Sequence, residues 1–197
     1  MTMTVEQFVG SYTPGPDTAI AFAWNGKHAA EFSDANDTFR SEVAAYCLSH
    51  PERPSAPLLA DLLIADAKWS AQAWSVPNRF PDLAALFLVM AGPAALPVFR
   101  TCVFASFDVY GACHQMRLPA DALQSLLTAV NEQITASSDE SEKKQLQSLA
   151  ELFTGIAAGT AAKDWVRVGR GSSEAPPVKH NLSFWGWLRS LFRQRHA

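Results

Sequence analysis

One stretch of this chain limits the possible folds more than any other. From Leu83 to Phe99 there is not a single charged side chain, a run of seventeen residues that contains Gly92, Pro93 and Pro97. A membrane-spanning helix needs about 20 predominantly apolar residues without such breaks. The expectation is therefore a buried helical hairpin with its turn at Gly-Pro. A helix that is apolar on most sides belongs in the middle of a core, so the rest of the chain has to wrap around it.

The flanking sequence supplies the wrapping as helices. Thr4 and Gln7 have capping-box spacing, and Val5, Phe8, Val9 and Tyr12 form one stripe after them. Pro14, Gly15 and Pro16 end that segment, after which Asp17 is expected to cap a second short helix running through Ala19 to Trp24. A short strand pair flanking the Asn25-Gly26 turn is the alternative there. A helix is expected over 34–49, with Phe39, Val43, Tyr46 and Cys47 on one face and the acids at Asp34 and Asp37 as start-capping residues. Ser55 caps the next, 56–74, whose apolar side carries Leu58, Leu59, Leu62, Leu63, Ala67, Trp69 and Trp74. Pro81 suits the first position of a helix over 81–91, and Asp82 suits its positive end. Another helix follows over 94–113, placing Arg100 and Asp108 on one water-facing edge. Pro119 opens a helix striped by Leu123, Leu126, Leu127, Val130 and Ile134. The polar turn 137–141 joins it to a last helix marked by Leu146, Leu149, Phe153 and Ile156, and the two read as an antiparallel hairpin. Gly155 and Gly159 would let a neighbouring backbone come close. The fold class is all-α, a compact array of about seven helices, a helical domain over 1–166.

Beyond it the composition shifts. Residues 167–180, around GRGSSEAPPVKH, have glycine, proline, serine and charge without an apolar period, and read as a linker. The segment 181–197 then returns to helical spacing. At 100° per residue Phe184, Trp187, Leu188, Leu191 and Phe192 share a face with Trp185 at its edge, while Arg189 and Arg193 lie opposite. Such a basic, aromatic, amphipathic helix suits a protein groove or an anionic membrane surface. Burying each large apolar side chain is worth roughly 1.5–3 kcal/mol, so this face calls for a cover: the chain's own body, a partner protein, a second copy or a membrane.

Charge follows the same division. From Asp164 onward there are six basic and two acidic residues, net +4, while the preceding 163 residues hold ten basic and seventeen acidic, net −7. A mildly acidic body argues against nucleic acid as its partner. Three widely spaced cysteines, Cys47, Cys102 and Cys113, form no disulfide framework, and buried thiols in a reducing cytoplasm are the expectation. The first residues show neither the basic nor the apolar region of a signal peptide. Alanine richness gives the chain a bacterial character.

The search for chemistry comes back with little. No GxxxxGK[ST], GxGxxG or GxSxG pattern occurs. Cys113 and His114 point about 100° apart on a helix and lack the paired spacing of zinc ligands. Asp34-Ala35-Asn36-Asp37 lacks the glycine and terminal glutamate of a calcium loop. Asp61 with Asp66, and Glu31 with Asp34 and Asp37, are expected on solvated faces, and Trp24, Trp69, Trp74 and Trp165 as core fillers. No cofactor, metal or catalytic residue is assigned. The expected function is a non-enzymatic helical interaction module, an adaptor or inhibitor-type binding protein contacting its partner through Phe184, Trp185, Trp187, Leu188, Arg189, Leu191, Phe192 and Arg193. The alternatives are a peripheral membrane protein anchored by that segment, and an enzyme whose site is dispersed along the sequence.

Overall fold

The computed structural model describes residues 3–15 and 19–159. These form eight α-helices: α1 (Val5–Gly10), α2 (Asp37–Ser49), α3 (Ala56–Ala73), α4 (Phe80–Ala91), α5 (Leu96–Val103), α6 (Phe107–Cys113), α7 (Ala120–Ala136) and α8 (Glu140–Ala157). Among the described residues there is no strand, only an isolated antiparallel bridge between Trp24 and Asp34. The fold is all-α, as the periodicities require. The linker and the amphipathic helix expected over 167–197, with every contact residue from Phe184 to Arg193, lie outside the described residues.

Several helix starts are written locally. Thr4 and Gln7 close their capping box reciprocally. Ser55 accepts from the Leu58 amide, Ser106 from Val109, and Asp139 from both Ser141 and Glu142. Each such cap satisfies amides that the helix itself leaves unpaired and is worth about 1 kcal/mol.

Helix α3 is the hub. Leu58, Leu59, Leu62 and Leu63 are completely buried, and the helix packs on α4, α5 and α6. The uncharged run is divided at Gly92, whose φ of 55° ends α4 and starts a 3-10 turn, Gly92–Ala95, before α5. Phe80–Val103 has the length and apolarity of a membrane span, but this break splits it into two helices that both lie against α3. On the far side α7 and α8 form the most extensive helix pair, and Phe99 of α5 stacks on Phe153 of α8 with ring centroids 5.9 Å apart.

Three expectations are corrected in this half of the molecule. The helix over 94–113 is two helices, because Phe104 to Ser106 leave helical geometry and Ser106 caps α6 afresh. Arg100 and Asp108 therefore share no edge. Arg100 instead pairs with Glu142 of α8 at 2.6 Å, and that bond, with a second from Ser137, holds the Glu142 carboxyl below its ordinary pKa. Gly159 has φ of 63° and open space around the position of a Cβ, so its glycine serves a left-handed helix end, not a close helix contact.

The three thiols are free and buried. Desolvation pushes Cys47 up to about 11 and Cys102 up to about 12, and raises Cys113 as well. Burial also lowers the pKa of His114 at the end of α6, which favours its neutral form.

Candidate functional site

The largest departure from the sequence reading lies between α1 and α2. Residues 19–24 form no helix. They run back along 33–35: the Asn25 amide donates to the Ser33 carbonyl at 3.0 Å and the Ala35 amide to the Ala23 carbonyl at 3.1 Å. The alternative of a short strand pair was closer, though it amounts to one bridge. The turn between the arms falls at Gly26, with φ of 77°, and is held by Asn25, whose side-chain oxygen accepts from the Lys27 and Ser33 amides. The loop carries a chain of rings in which Phe22 stacks on both Trp24 and Phe32, and Trp24 meets His28 at 4.8 Å.

What fixes this loop to the body is a buried ion-pair network. Arg40 of α2 is fully buried and lies between two carboxylates, its Nη2 2.6 Å from Asp34 and its Nε 2.9 Å from Asp66 of α3. Burial opposes its charge, but the hydrogen bond it donates to Asp34 and the fields of both carboxylates outweigh it, and its pKa stands above the ordinary value. Asp34 uses its other oxygen to accept from the Ala23 and Asn36 amides. Arg79, just before α4, adds two bonds to Asp66 and one to Ser41. The expectation of solvated carboxylates at Asp34 and Asp66 is thus overturned: Asp66 is wholly buried, and Asp34 is a buried ion-pair partner with no capping role. Asp37 is part-exposed, reaching Arg40 at 3.2 Å. Asp61 accepts a hydrogen bond from the Tyr12 hydroxyl.

Anchored in this way, the loop forms one wall of a cleft of about 640 Å³ against the C-terminal end of α3. His28, Ala29 and Phe32 come from the loop. Trp69, Gln72, Ala73 and Trp74 come from the helix. Phe32 and Trp69 meet edge to face, 5.8 Å apart and at 84°, which makes two walls nearly perpendicular. Trp74 was expected on the apolar side of its helix and is instead 86% exposed. It stands one residue beyond the regular helix with φ 55° and ψ 38°, the left-handed conformation. Among the described residues only one other non-glycine has positive φ, Ala29 at 53°, and it lines the same cleft. Left-handed backbone costs an L-residue roughly 1–2 kcal/mol, and helix ends that need it usually place glycine there. Strain of this kind concentrates at ligand clamps.

The cleft has the size of a ligand site and the mostly apolar lining such sites share. His28 is its only titratable lining side chain, so the lining holds no acid–base pair and no nucleophile beside a base. A second depression of about 520 Å³ lies on the outer face of α7, around Thr128, Asn131 and Thr135, and has no aromatic wall. Comparison with protein-family models, curated proteins and solved structures finds no match to this chain.

Proposed function

We propose that this chain is a non-enzymatic helical interaction module, and that the aromatic cleft at the end of α3 is a recognition site for a partner protein. The supporting observation is Trp74, a bulky side chain held in left-handed backbone and 86% exposed at the rim of the cleft. It contributes little to the core, so neither packing nor backbone preference accounts for a tryptophan at this position. Tryptophan is, with tyrosine and arginine, a residue type enriched where binding energy concentrates at interfaces. Free, buried thiols are consistent with a reducing cytoplasm. The test is selection of peptides from a displayed library on the full-length chain, followed by affinity measurement against Trp74→Ala. Selected ligands should lose at least about tenfold, the scale of a modest interface hot spot. Ligands that bind the variant equally well would reject the cleft.

The amphipathic pattern of 181–197 supports a second contact element. It suits the partner itself or, as a second reading, an anionic membrane surface. Co-sedimentation with vesicles containing phosphatidylserine separates the two. Salt-sensitive binding that disappears when the chain ends at His180 favours the membrane, and absence of vesicle binding leaves the segment to proteins.

A further inference from the structure

We infer that the cleft takes a cationic head on an apolar stem, the guanidinium of an arginine or the ammonium of a lysine, especially a methylated one, presented by the partner. This rests on the cleft being a recognition site and names the chemistry it selects. Phe32 and Trp69 form two nearly perpendicular aromatic walls, and Trp74 stands exposed at the rim. Aromatic faces carry negative quadrupole charge, tryptophan most effectively, and grouped rings are the usual cage for substituted ammonium groups. The cleft meets solvent at its rim, where Trp74 is exposed. That geometry suits a side chain that buries its methylenes against the rings and leaves its charge near water.

The charges point the same way. No lysine or arginine lines the cleft. Gln72 offers a carbonyl acceptor, and Glu31 lies in the loop wall between Ala29 and Phe32, two of the lining residues. Glu31 is engaged by Lys27 in an exposed pair whose side chains are 61% and 70% accessible, the kind of bridge worth little and readily exchanged. The first 163 residues carry a net charge of −7, which draws a cationic partner toward this body at low ionic strength.

The experiment uses the full-length chain and three capped Gly-X-Gly peptides, in which X is trimethyllysine, arginine, or the neutral isostere of trimethyllysine with carbon in place of nitrogen. Binding is followed by the indole Nε1–H resonances, with Trp69 and Trp74 assigned from Trp→Phe variants. The two charged peptides should shift the Trp69 and Trp74 resonances and bind about tenfold more tightly than the isostere. Trp74→Ala should abolish the effect and Trp74→Phe should restore part of it. Glu31→Gln should weaken the charged peptides and leave the isostere unchanged. Equal binding of the isostere would overturn the cationic assignment and leave the cleft as an apolar recognition site. Charged peptides that shift no cleft resonance would also overturn the assignment. Unchanged affinity of the charged peptides for Trp74→Ala would overturn the role given to Trp74 in both readings.

Discussion

Replacing Trp74 by glycine should make this protein more stable while removing its binding. Three terms decide the sign. The left-handed backbone at φ 55°, ψ 38° costs a non-glycine residue roughly 1–2 kcal/mol, and glycine relieves it. The ring is 86% exposed, so its loss forfeits little burial. Against this, glycine has the more flexible unfolded chain, a cost of roughly 0.5–1 kcal/mol. The net gain is about 0.5–1 kcal/mol, and for a chain of this length each kcal/mol moves Tm by about 2–4 °C. Trp74→Ala removes the same ring but keeps a Cβ in the left-handed region, so it should be no more stable than the native chain and less stable than Trp74→Gly by about 1 kcal/mol. The difference between the two variants isolates the backbone strain from the loss of the ring. Urea and thermal melts of the three proteins measure it. A lower Tm for Trp74→Gly than for Trp74→Ala would refute the reasoning: position 74 would then carry no backbone strain for glycine to relieve, and none to be accepted for binding.

Three other perturbations follow from the structure. Asp66→Ala leaves Arg40 buried with one acceptor fewer and takes two of the bonds of Arg79, which keeps Ser41 and Asp37, and should cost about 3–5 kcal/mol, read as a shift in the denaturation midpoint. The Glu142 carboxyl is held below its ordinary pKa first by Arg100 and then by Ser137. Its contribution is therefore present above the unfolded value of about 4.3 and is lost as pH falls through the lower folded value. Glu142→Gln should flatten the acid limb of stability against pH, and an unchanged limb would disprove this role. With Cys47 raised to about 11, Cys102 to about 12 and Cys113 also raised, all three thiols should resist a disulfide reagent at pH 8 until denaturant is added, whereas a rapid native reaction would contradict their burial.

Most of the helical body is legible in the sequence because caps and apolar periods are local. The Thr4–Gln7 box, Ser55, Pro81 and the Leu123–Val130 stripe all lead to helices found in the structure. The buried charges were legible too, by a sharper use of the same periodicity. Asp66 stands seven residues after Leu59, four after Leu62 and three after Leu63, which puts it on the buried stripe of α3. Arg40 stands three, four and seven residues before Val43, Ala44 and Cys47, on the buried stripe of α2. An isolated acid and an isolated base, each on the apolar face of its own helix, have to find each other, since an unpaired buried charge is prohibitive. The cleft was harder to see. Trp74 continues the apolar count of α3, and although Pro77 says that the helix ends nearby, no glycine marks Ala73 as its last residue or Trp74 as the one turned outward.

The loop over 19–36 shows why the cleft depends on charge rather than on the hydrophobic core. Among its described residues Ile20 is the only buried apolar one, so apolar burial, which has no direction, cannot set where His28, Ala29 and Phe32 stand. Directional bonds do: Asp34 to the Ala23 and Asn36 amides, Asn36 to the Ala21 carbonyl at 2.9 Å, and Arg40 to Asp34 and to the Ile20 carbonyl. The same guanidinium reaches Asp66 on α3, the helix that supplies the opposite wall. Arg40 thus ties both walls of the cleft to one rigid group. A buried ion pair is a poor source of stability, because desolvation consumes much of its attraction. Here its value is positional: it holds a loop with almost no core of its own at a fixed distance from Trp69 and Trp74.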